Sequence, residues 1–217
     1  MPSKTRSKPT RLSNSDFSPE EWEELNSAYP DKSNHKFQIR ETTTPRDEDE
    51  EDEEGTALAI EGLGDDWIVE GSLDGFGGRA ILQDENTEEI IAVILTEKCG
   101  MHFNYKLLTA TPKHPKQKPY RIKIKGQKVY EHAVVKRQNY FLENYDIQEA
   151  GQDHVDYRVR GRDVGPLQFK VYDTESHKCC GAVTQKPGDG SWQVSAEDVI
   201  NPKIMICLTA IASKALG

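Results

Sequence analysis

The residues with the clearest capacity for chemistry are the lysines and arginines of segment 113–137. The whole chain is acidic, with a formal net charge of -9, but this segment contains a single acid, Glu131. In residues 120–125 basic and apolar side chains alternate, which places the basic ones together on one face of a β-strand. Cations that converge in this way suit a phosphate-rich headgroup or an anionic membrane surface. The predicted lipid-binding residues are Lys116, Lys118, Arg121, Lys123, Lys125 and Lys128.

This basic pattern also has a purely structural interpretation. Lysines on the solvated face of an edge strand protect that strand from aggregation and need no ligand. The sequence leaves both interpretations open. It disfavours nucleic acid as a partner, because the net charge is negative and the basic segment lacks interleaved exposed aromatic residues for base stacking.

Other residue types that carry chemistry form no recognisable site. The cysteines at positions 99, 179, 180 and 207 have the spacing of neither a disulfide framework nor a zinc site. Cys179 and Cys180 point to opposite faces of a strand, so they cannot chelate one ion. The glycine-rich residues 75–78 precede no helix, and no nucleophile or metallohydrolase motif occurs. The sequence therefore predicts no enzyme, no cofactor and no metal site.

Short strand signals recur from Trp67 onward, and turn residues such as those at 84–87 separate them. No helical pattern interrupts the series, so the strands are expected to be antiparallel and to form a sandwich or a barrel. The predicted strands are 67–71, 79–83, 90–96, 102–109, 120–125, 129–136, 140–147, 155–160, 167–173, 179–185 and 192–195.

The end of the sequence, residues 201–217, predicts a helix of unusual character. Asn201 suits the N-cap and Pro202 the first helical position. Residues 204–212 are apolar nearly all round, so the helix must be enclosed on every side, yet it is too short to cross a bilayer. The predicted fold is therefore mainly β: a closed antiparallel β-barrel that encloses a hydrophobic C-terminal α-helix, with a disordered N-terminal tail.

The predicted tail covers residues 1–57 and the predicted barrel domain residues 58–217. Residues 1–16 are basic and poor in apolar side chains, a short helix is predicted at 18–29, and residues 47–54 form an uninterrupted acidic run. No hydrophobic leader begins the sequence, and the cysteine pattern fits a reducing compartment. A cytoplasmic location is expected, with peripheral membrane or nuclear locations as variants.

Two hairpin-like segments and the terminal helix together resemble the tubby C-terminal superfamily. The residues that carry the resemblance are 67–94 (WIVEGSLDGFGGRAILQDENTEEIIAVI), 169–183 (FKVYDTESHKCCGAV) and 198–217 (DVINPKIMICLTAIASKALG). The resemblance spans about residues 60–217 and favours a divergent member, similar to the LURP-one-related proteins or the phospholipid scramblases. It implies a barrel around a central helix and phosphoinositide binding through a cationic pocket on the barrel.

The predicted function is non-catalytic binding of phosphoinositides or anionic membrane surfaces, without a transmembrane segment. The alternative is a protein-interaction or scaffold module. In that alternative, the acidic run and the predicted helix around Trp22 recruit a protein partner.

Overall fold

The computed structural model describes residues 35–43, 56–63, 66–73, 77–99, 102–138, 144–161, 168–188 and 190–214. The first strands are β1 (His35–Thr43), β2 (Thr56–Glu61), β3 (Trp67–Ser72), β4 (Arg79–Asp84), β5 (Ile90–Cys99), β6 (His102–Thr109), β7 (Lys123–Ile124) and β8 (Gln127–Lys128). The remaining elements are β9 (Tyr130–Arg137), β10 (Asn144–Glu149), β11 (Tyr157–Gly161), β12 (Gln168–Asp173), β13 (Cys179–Gln185), β14 (Trp192–Ala196) and the helix α1 (Pro202–Lys214).

Twelve of these strands form a closed barrel, and every ladder between neighbours is antiparallel. The order around the barrel is β1-β14-β13-β12-β11-β10-β9-β6-β5-β4-β3-β2. Neighbouring strands of the barrel follow one another in sequence, with two exceptions. β1 is next to β14, and β6 is next to β9 because the hairpin β7–β8 between them is not part of the barrel. The predicted fold class, a closed antiparallel barrel with a C-terminal helix, is confirmed.

Strand β1 lies within residues 1–57, which the sequence analysis assigned to the tail, so the start of the barrel domain at residue 58 was placed too late. β1 pairs with β2 on one side and with β14 on the other, and it completes the barrel. Phe37 and Ile39 alternate with polar neighbours and are buried in the core. The apolar signal of β1 consists of these two residues alone, and the charged flanks hide it in a sequence average.

The other elements of the predicted tail, the helix at 18–29 and the acidic run at 47–54, lie outside the described residues. Residues 44–55 connect β1 to β2, and Thr43 and Thr56 are partners in the ladder.

Helix α1 fills the barrel, as its composition predicts. The backbone N–H of Lys203 donates to Asn201 Oδ1 across 2.9 Å, which confirms Asn201 as the N-cap. Residues 204–212 are all buried, and they share one core cluster with inward side chains from each of the barrel strands. Gly181 leaves room for the helix, because a Cβ atom there would lie 2.9 Å from Met205 Cε. Within the described residues, no helix is long and apolar enough to span a membrane.

The connection between β6 and β9, residues 110–129, folds back over the outside of the barrel and is called the flap below. Its apolar side chains join a second cluster with outward residues of β4, β5 and β6. The flap contains the hairpin β7–β8, whose turn residues Lys125 and Gly126 have φ values of 45° and 80°, as a type I′ turn requires. The predicted barrel strand at 120–125 is therefore wrong, since only Lys123–Ile124 is a strand and it belongs to the flap.

Candidate anion-binding surface

The flap is held against the barrel by apolar packing on its inner side. Ile124 and Val129 are buried against Val93 and Leu108 of the barrel wall. The half-buried side chains that extend this contact are Ile81, Leu95, Tyr120 and Ile122. The alternation in residues 120–125 therefore sorts the side chains as predicted, with apolar ones toward the protein and basic ones toward solvent.

A polar network fixes one end of the flap. Tyr120 donates from its hydroxyl to Glu97 Oε1 across 2.6 Å. Lys106 Nζ lies 3.4 Å from Glu97 Oε2 and 3.1 Å from Glu131 Oε2, and 4.9 Å from the centre of the Tyr120 ring. Burial alone would raise the pKa of Glu97, but the hydrogen bond from Tyr120 and the charge of Lys106 lower it. Glu97 thus stays ionised and holds both partners.

A second set of contacts fixes the other end, where the flap leaves β6. Lys113 forms an ion pair with Glu149, and its backbone N–H donates to Gln117 Oε1 across 2.7 Å. The Gln117 amide donates in turn to the carbonyl oxygen of Glu131. Burial lowers the pKa of Lys113, and the charge of Asp156 partly offsets this. Lys113 belongs to the basic segment but serves as an anchor.

The predicted lipid-binding residues lie on the outer side of this anchored flap, and all of them are exposed. Two of them interact with carboxylates of the barrel: Arg121 Nη2 lies 4.0 Å from Glu97, and Lys125 Nζ lies 3.8 Å from Glu88. For Lys116, Lys118, Lys123 and Lys128 no salt bridge to another described residue is present.

The hairpin sets two of these lysines side by side. Lys123 and Lys128 are directly opposite each other in the β7–β8 ladder. Like charges in this position repel and destabilise the pair. Neither lysine makes a salt bridge with a described carboxylate, and an external anion between the two ammonium groups would relieve the repulsion.

A cleft of about 630 Å³ lies where the flap meets the strands β4 and β5. It contains Arg121 of the predicted set and adds two cations, Arg79 and Lys98, together with the ring of Tyr120 and the carboxylate of Glu97, which already pairs with Arg121. Sequence reasoning missed Arg79 and Lys98 because each is an isolated cation in its own strand. The strand pairing brings the two residues to the same end of the β4–β5 ladder, since Arg79 is opposite Leu95.

The cysteines do not form a reactive or metal-binding group among the described residues. Cys180 and Cys207 are buried, and burial raises the pKa of each thiol to about 12. Cys179 is half-buried, and its pKa is raised for the same reason. In the part of the chain that the structure describes, no three His, Cys, Asp or Glu side chains are placed to hold a metal ion.

Comparison with known proteins adds no relative. No family model, curated protein or solved structure matches this chain. The functional argument therefore depends on the geometry of the flap and on the charges that it presents.

Proposed function

We propose that this chain is a non-catalytic binding protein that attaches to anionic phospholipid surfaces through the outer side of its flap. The observation that carries the proposal is the set of exposed lysines, Lys116, Lys118, Lys123 and Lys128, that have no salt bridge to a described residue. The flap that bears them is packed against the barrel. A preformed arrangement of cations loses little conformational entropy when an anionic surface binds.

The flap lysines alone give a weak electrostatic attraction to an anionic membrane, equivalent to a dissociation constant of about 1 mM. A basic residue next to an anionic membrane contributes about 1 kcal/mol, so these four lysines together contribute roughly 4 kcal/mol. Arg121 and Lys125 contribute less, because Glu97 and Glu88 already compensate part of their charge. An acidic protein with net charge -9 needs such a local concentration of cations to overcome its overall repulsion from the membrane.

The cleft beside the flap supplies a place for a single headgroup phosphate. Arg79, Lys98 and Arg121 line it, and a guanidinium group can bind two phosphate oxygens at once. We assign bulk electrostatic attraction to the flap lysines and phosphate recognition to the cleft. Membership of the tubby superfamily would imply the same class of ligand, and it stays a prediction.

The alternative function, a protein-interaction module, depends on the acidic run and the helix around Trp22. Both lie outside the described residues, and no described contact favours that alternative over membrane binding. It stays a prediction and becomes the better hypothesis if liposome binding fails.

Liposome co-sedimentation of the full chain tests the proposal. The flap variant replaces Lys118, Lys123 and Lys128 by Gln, and the matched control replaces three exposed lysines elsewhere, Lys36, Lys136 and Lys178. Binding to vesicles of phosphatidylcholine that contain phosphatidylserine should weaken roughly a hundredfold in the flap variant. The control should change it only slightly.

A second variant separates the cleft from the flap. Replacing Arg79 and Lys98 by Gln should remove any preference for phosphoinositide over an equal charge of phosphatidylserine, while general anionic binding persists. Equal weakening by the flap variant and its lysine control would mean that only net charge matters. Absence of binding by the wild-type chain to every anionic vesicle would contradict the proposal.

A further inference from the structure

The β5–β6 hairpin extends past the strands on either side of it. On one side, β5 continues beyond Leu95, its last residue in the ladder with β4. On the other side, the ladder between β6 and β9 begins only at Asn104. Residues 96–99 therefore have ladder partners on β6 alone, and residues 102–103 on β5 alone. This end of the hairpin projects beyond the rim that the neighbouring strands form.

Phe103 is an exposed aromatic residue on the projecting end. It is 37% exposed, and among the described residues the other large apolar residue that is exposed is Val199. An aromatic side chain exposed to this extent presents about 70 Å² of apolar surface to water. Single exposed apolar residues are common on protein surfaces, so the surroundings of Phe103 decide whether it has a role.

The surroundings of Phe103 are cationic. Its partner in the β5–β6 ladder is Lys98, so the two side chains lie on one face of the hairpin with Cβ atoms about 5 Å apart. Lys98 is exposed and lines the cleft together with Arg79 and Arg121. Glu97, the carboxylate of the cleft, pairs with Arg121 and compensates one of these three charges. A positive excess therefore remains directly beside the aromatic ring.

An aromatic side chain next to cations has the composition of a surface that inserts at a bilayer interface. The cations attract anionic headgroups, and the ring leaves water for the boundary between headgroups and acyl chains. An anionic bilayer presents phosphate and hydrocarbon within about 10 Å of each other. The continuity of Phe103 with the cleft therefore selects a phospholipid bilayer as the partner of this projecting end.

We propose that Phe103 inserts into the bilayer when the flap attracts the protein to an anionic phospholipid surface. This inference rests on the membrane attachment proposed above and adds two properties to it. The projecting end of the barrel faces the membrane. Part of the binding free energy is hydrophobic, so salt does not screen it.

Val199 supplies a reference residue at the other end of the barrel. Every ladder is antiparallel, so the strands alternate in direction, and the start of β6 and the end of β14 are at opposite ends. Val199 follows β14 and is 60% exposed. It is thus more exposed than Phe103 but lies far from the cleft, and substitutions there serve as matched controls.

Fluorescence quenching measures the insertion directly. Phe103→Trp and Val199→Trp are prepared in the full chain, and the emission of wild type, which has three native tryptophans, is subtracted from both. The vesicles contain phosphatidylcholine with brominated acyl chains and phosphatidylserine. The added emission of Phe103→Trp should be quenched on binding, whereas that of Val199→Trp should not. Unquenched emission from Phe103→Trp on vesicle-bound protein would overturn the proposal.

Co-sedimentation with unbrominated vesicles measures the contribution of the ring. Phe103→Ala should weaken binding about tenfold, which corresponds to the transfer of about 70 Å² of apolar surface. Val199→Ala should leave binding unchanged. The tenfold factor should stay constant between about 0.05 M and 0.15 M salt, whereas the effect of the flap variant should shrink over that interval. A factor for Phe103→Ala that shrinks in parallel would mean that the ring acts only through the cations, and insertion would be wrong.

The outcomes separate this inference from the membrane attachment on which it rests. If wild type binds the vesicles and Phe103→Ala binds equally well, attachment through the flap stands and insertion of Phe103 is wrong. If wild type binds no anionic vesicle, both are wrong. Circular dichroism shows whether Phe103→Ala is folded. If it is not, the quenching of the conservative variant Phe103→Trp decides.

Discussion

The hydroxyl of Tyr120 donates to Glu97 across 2.6 Å, and this bond joins the flap to the barrel wall. Tyr120 belongs to the flap, which carries the exposed lysines, whereas Glu97 belongs to β5. Lys106, beside both, forms an ion pair with Glu97 and lies over the tyrosine ring. The bond therefore combines two roles: it fixes the position of the basic surface, and it satisfies a half-buried carboxylate.

Removal of this contact should destabilise the protein measurably. Glu97→Ala leaves the Tyr120 hydroxyl without its acceptor and leaves Lys106 with Glu131 as its carboxylate partner, and should lower the free energy of unfolding by about 2 kcal/mol. Glu88→Ala removes an exposed carboxylate 3.8 Å from Lys125 and should change it by less than about 1 kcal/mol. Urea titration compares the two variants. Equal effects would show that the Tyr120 contact has no special role.

The enclosed helix predicts intolerance to charge at its centre. Leu208 is 2% exposed inside the barrel, and Leu208→Asp would bury an unpaired carboxylate at a cost of several kcal/mol. That cost is comparable with the whole stability of a domain, about 5–15 kcal/mol, so the variant should fail to fold. Val199→Asp, at a residue 60% exposed just before the helix, should melt like wild type in circular dichroism.

Truncation tests the corrected start of the barrel. A chain that begins at Leu58 lacks β1, which exposes the edges of β2 and β14 and leaves the barrel open. It should aggregate or lose its cooperative thermal transition. A chain that begins at His35 keeps every described strand and should retain that transition in calorimetry. A cooperative transition in the Leu58 chain at the wild-type temperature would contradict the role given to β1.

The acidic run should oppose membrane binding through its charge. Residues 47–54 carry eight of the negative charges, and their neutralisation to Asn and Gln changes the formal net charge from -9 to -1. Repulsion from an anionic vesicle then decreases, so the variant should bind more tightly than wild type at low salt. The difference should shrink at 0.5 M salt, where screening is strong. Co-sedimentation across a salt series measures it, and a gain independent of salt would rule out this electrostatic origin.

His132 predicts a loss of stability in acid. Burial, with smaller contributions from the charges of Lys113 and Lys203, lowers the pKa of His132 to about 4. The unfolded chain binds a proton at this residue near pH 6.5, whereas the folded chain does so only near pH 4. Stability from the neutral ring is therefore complete above pH 6.5 and decreases as the pH falls, by at most about 1.4 kcal/mol per unit.

Replacement of His132 by Gln should make the free energy of unfolding less dependent on pH between 6.5 and 4. Urea titrations at several pH values in this interval give the slope for each chain. His177→Gln, which removes an exposed histidine, is the matched control. A slope that His132→Gln leaves at the wild-type value would mean that other groups dominate the acid response.

The alternation of apolar and polar residues predicted most of the strands, because successive side chains of a strand point to opposite faces of the sheet. The strand at 102–109 and the one at 179–185 have the predicted bounds, and the helix begins at Pro202 as its cap indicates. The alternation at 120–125 also separated buried from exposed side chains correctly. Alternation does not show which surface the apolar side chains pack against. Those of the flap pack against the outer face of the barrel.

The cleft was beyond sequence reasoning for a related reason. Arg79 and Lys98 belong to different strands, and Arg121 belongs to the flap. Only the β4–β5 register and the return of the flap over β5 bring the three together. No sequence spacing predicts that residues of β4, β5 and the flap lie together. The exposed lysines of the flap, by contrast, could be recognised as a cluster because they are close in sequence.

The pairing of β1 with β14 determines when this protein can complete its fold. His35 is opposite Ala196, so the ladder that closes the barrel joins residues far apart in the sequence, and the helix that fills the interior follows later still. Contacts at such separation are formed late and make folding slow. On the ribosome, the earlier strands emerge without their central helix and must remain open until synthesis passes β14. The nascent chain thus exposes an unfilled apolar sheet for much of its synthesis, the stage at which chaperones protect aggregation-prone chains.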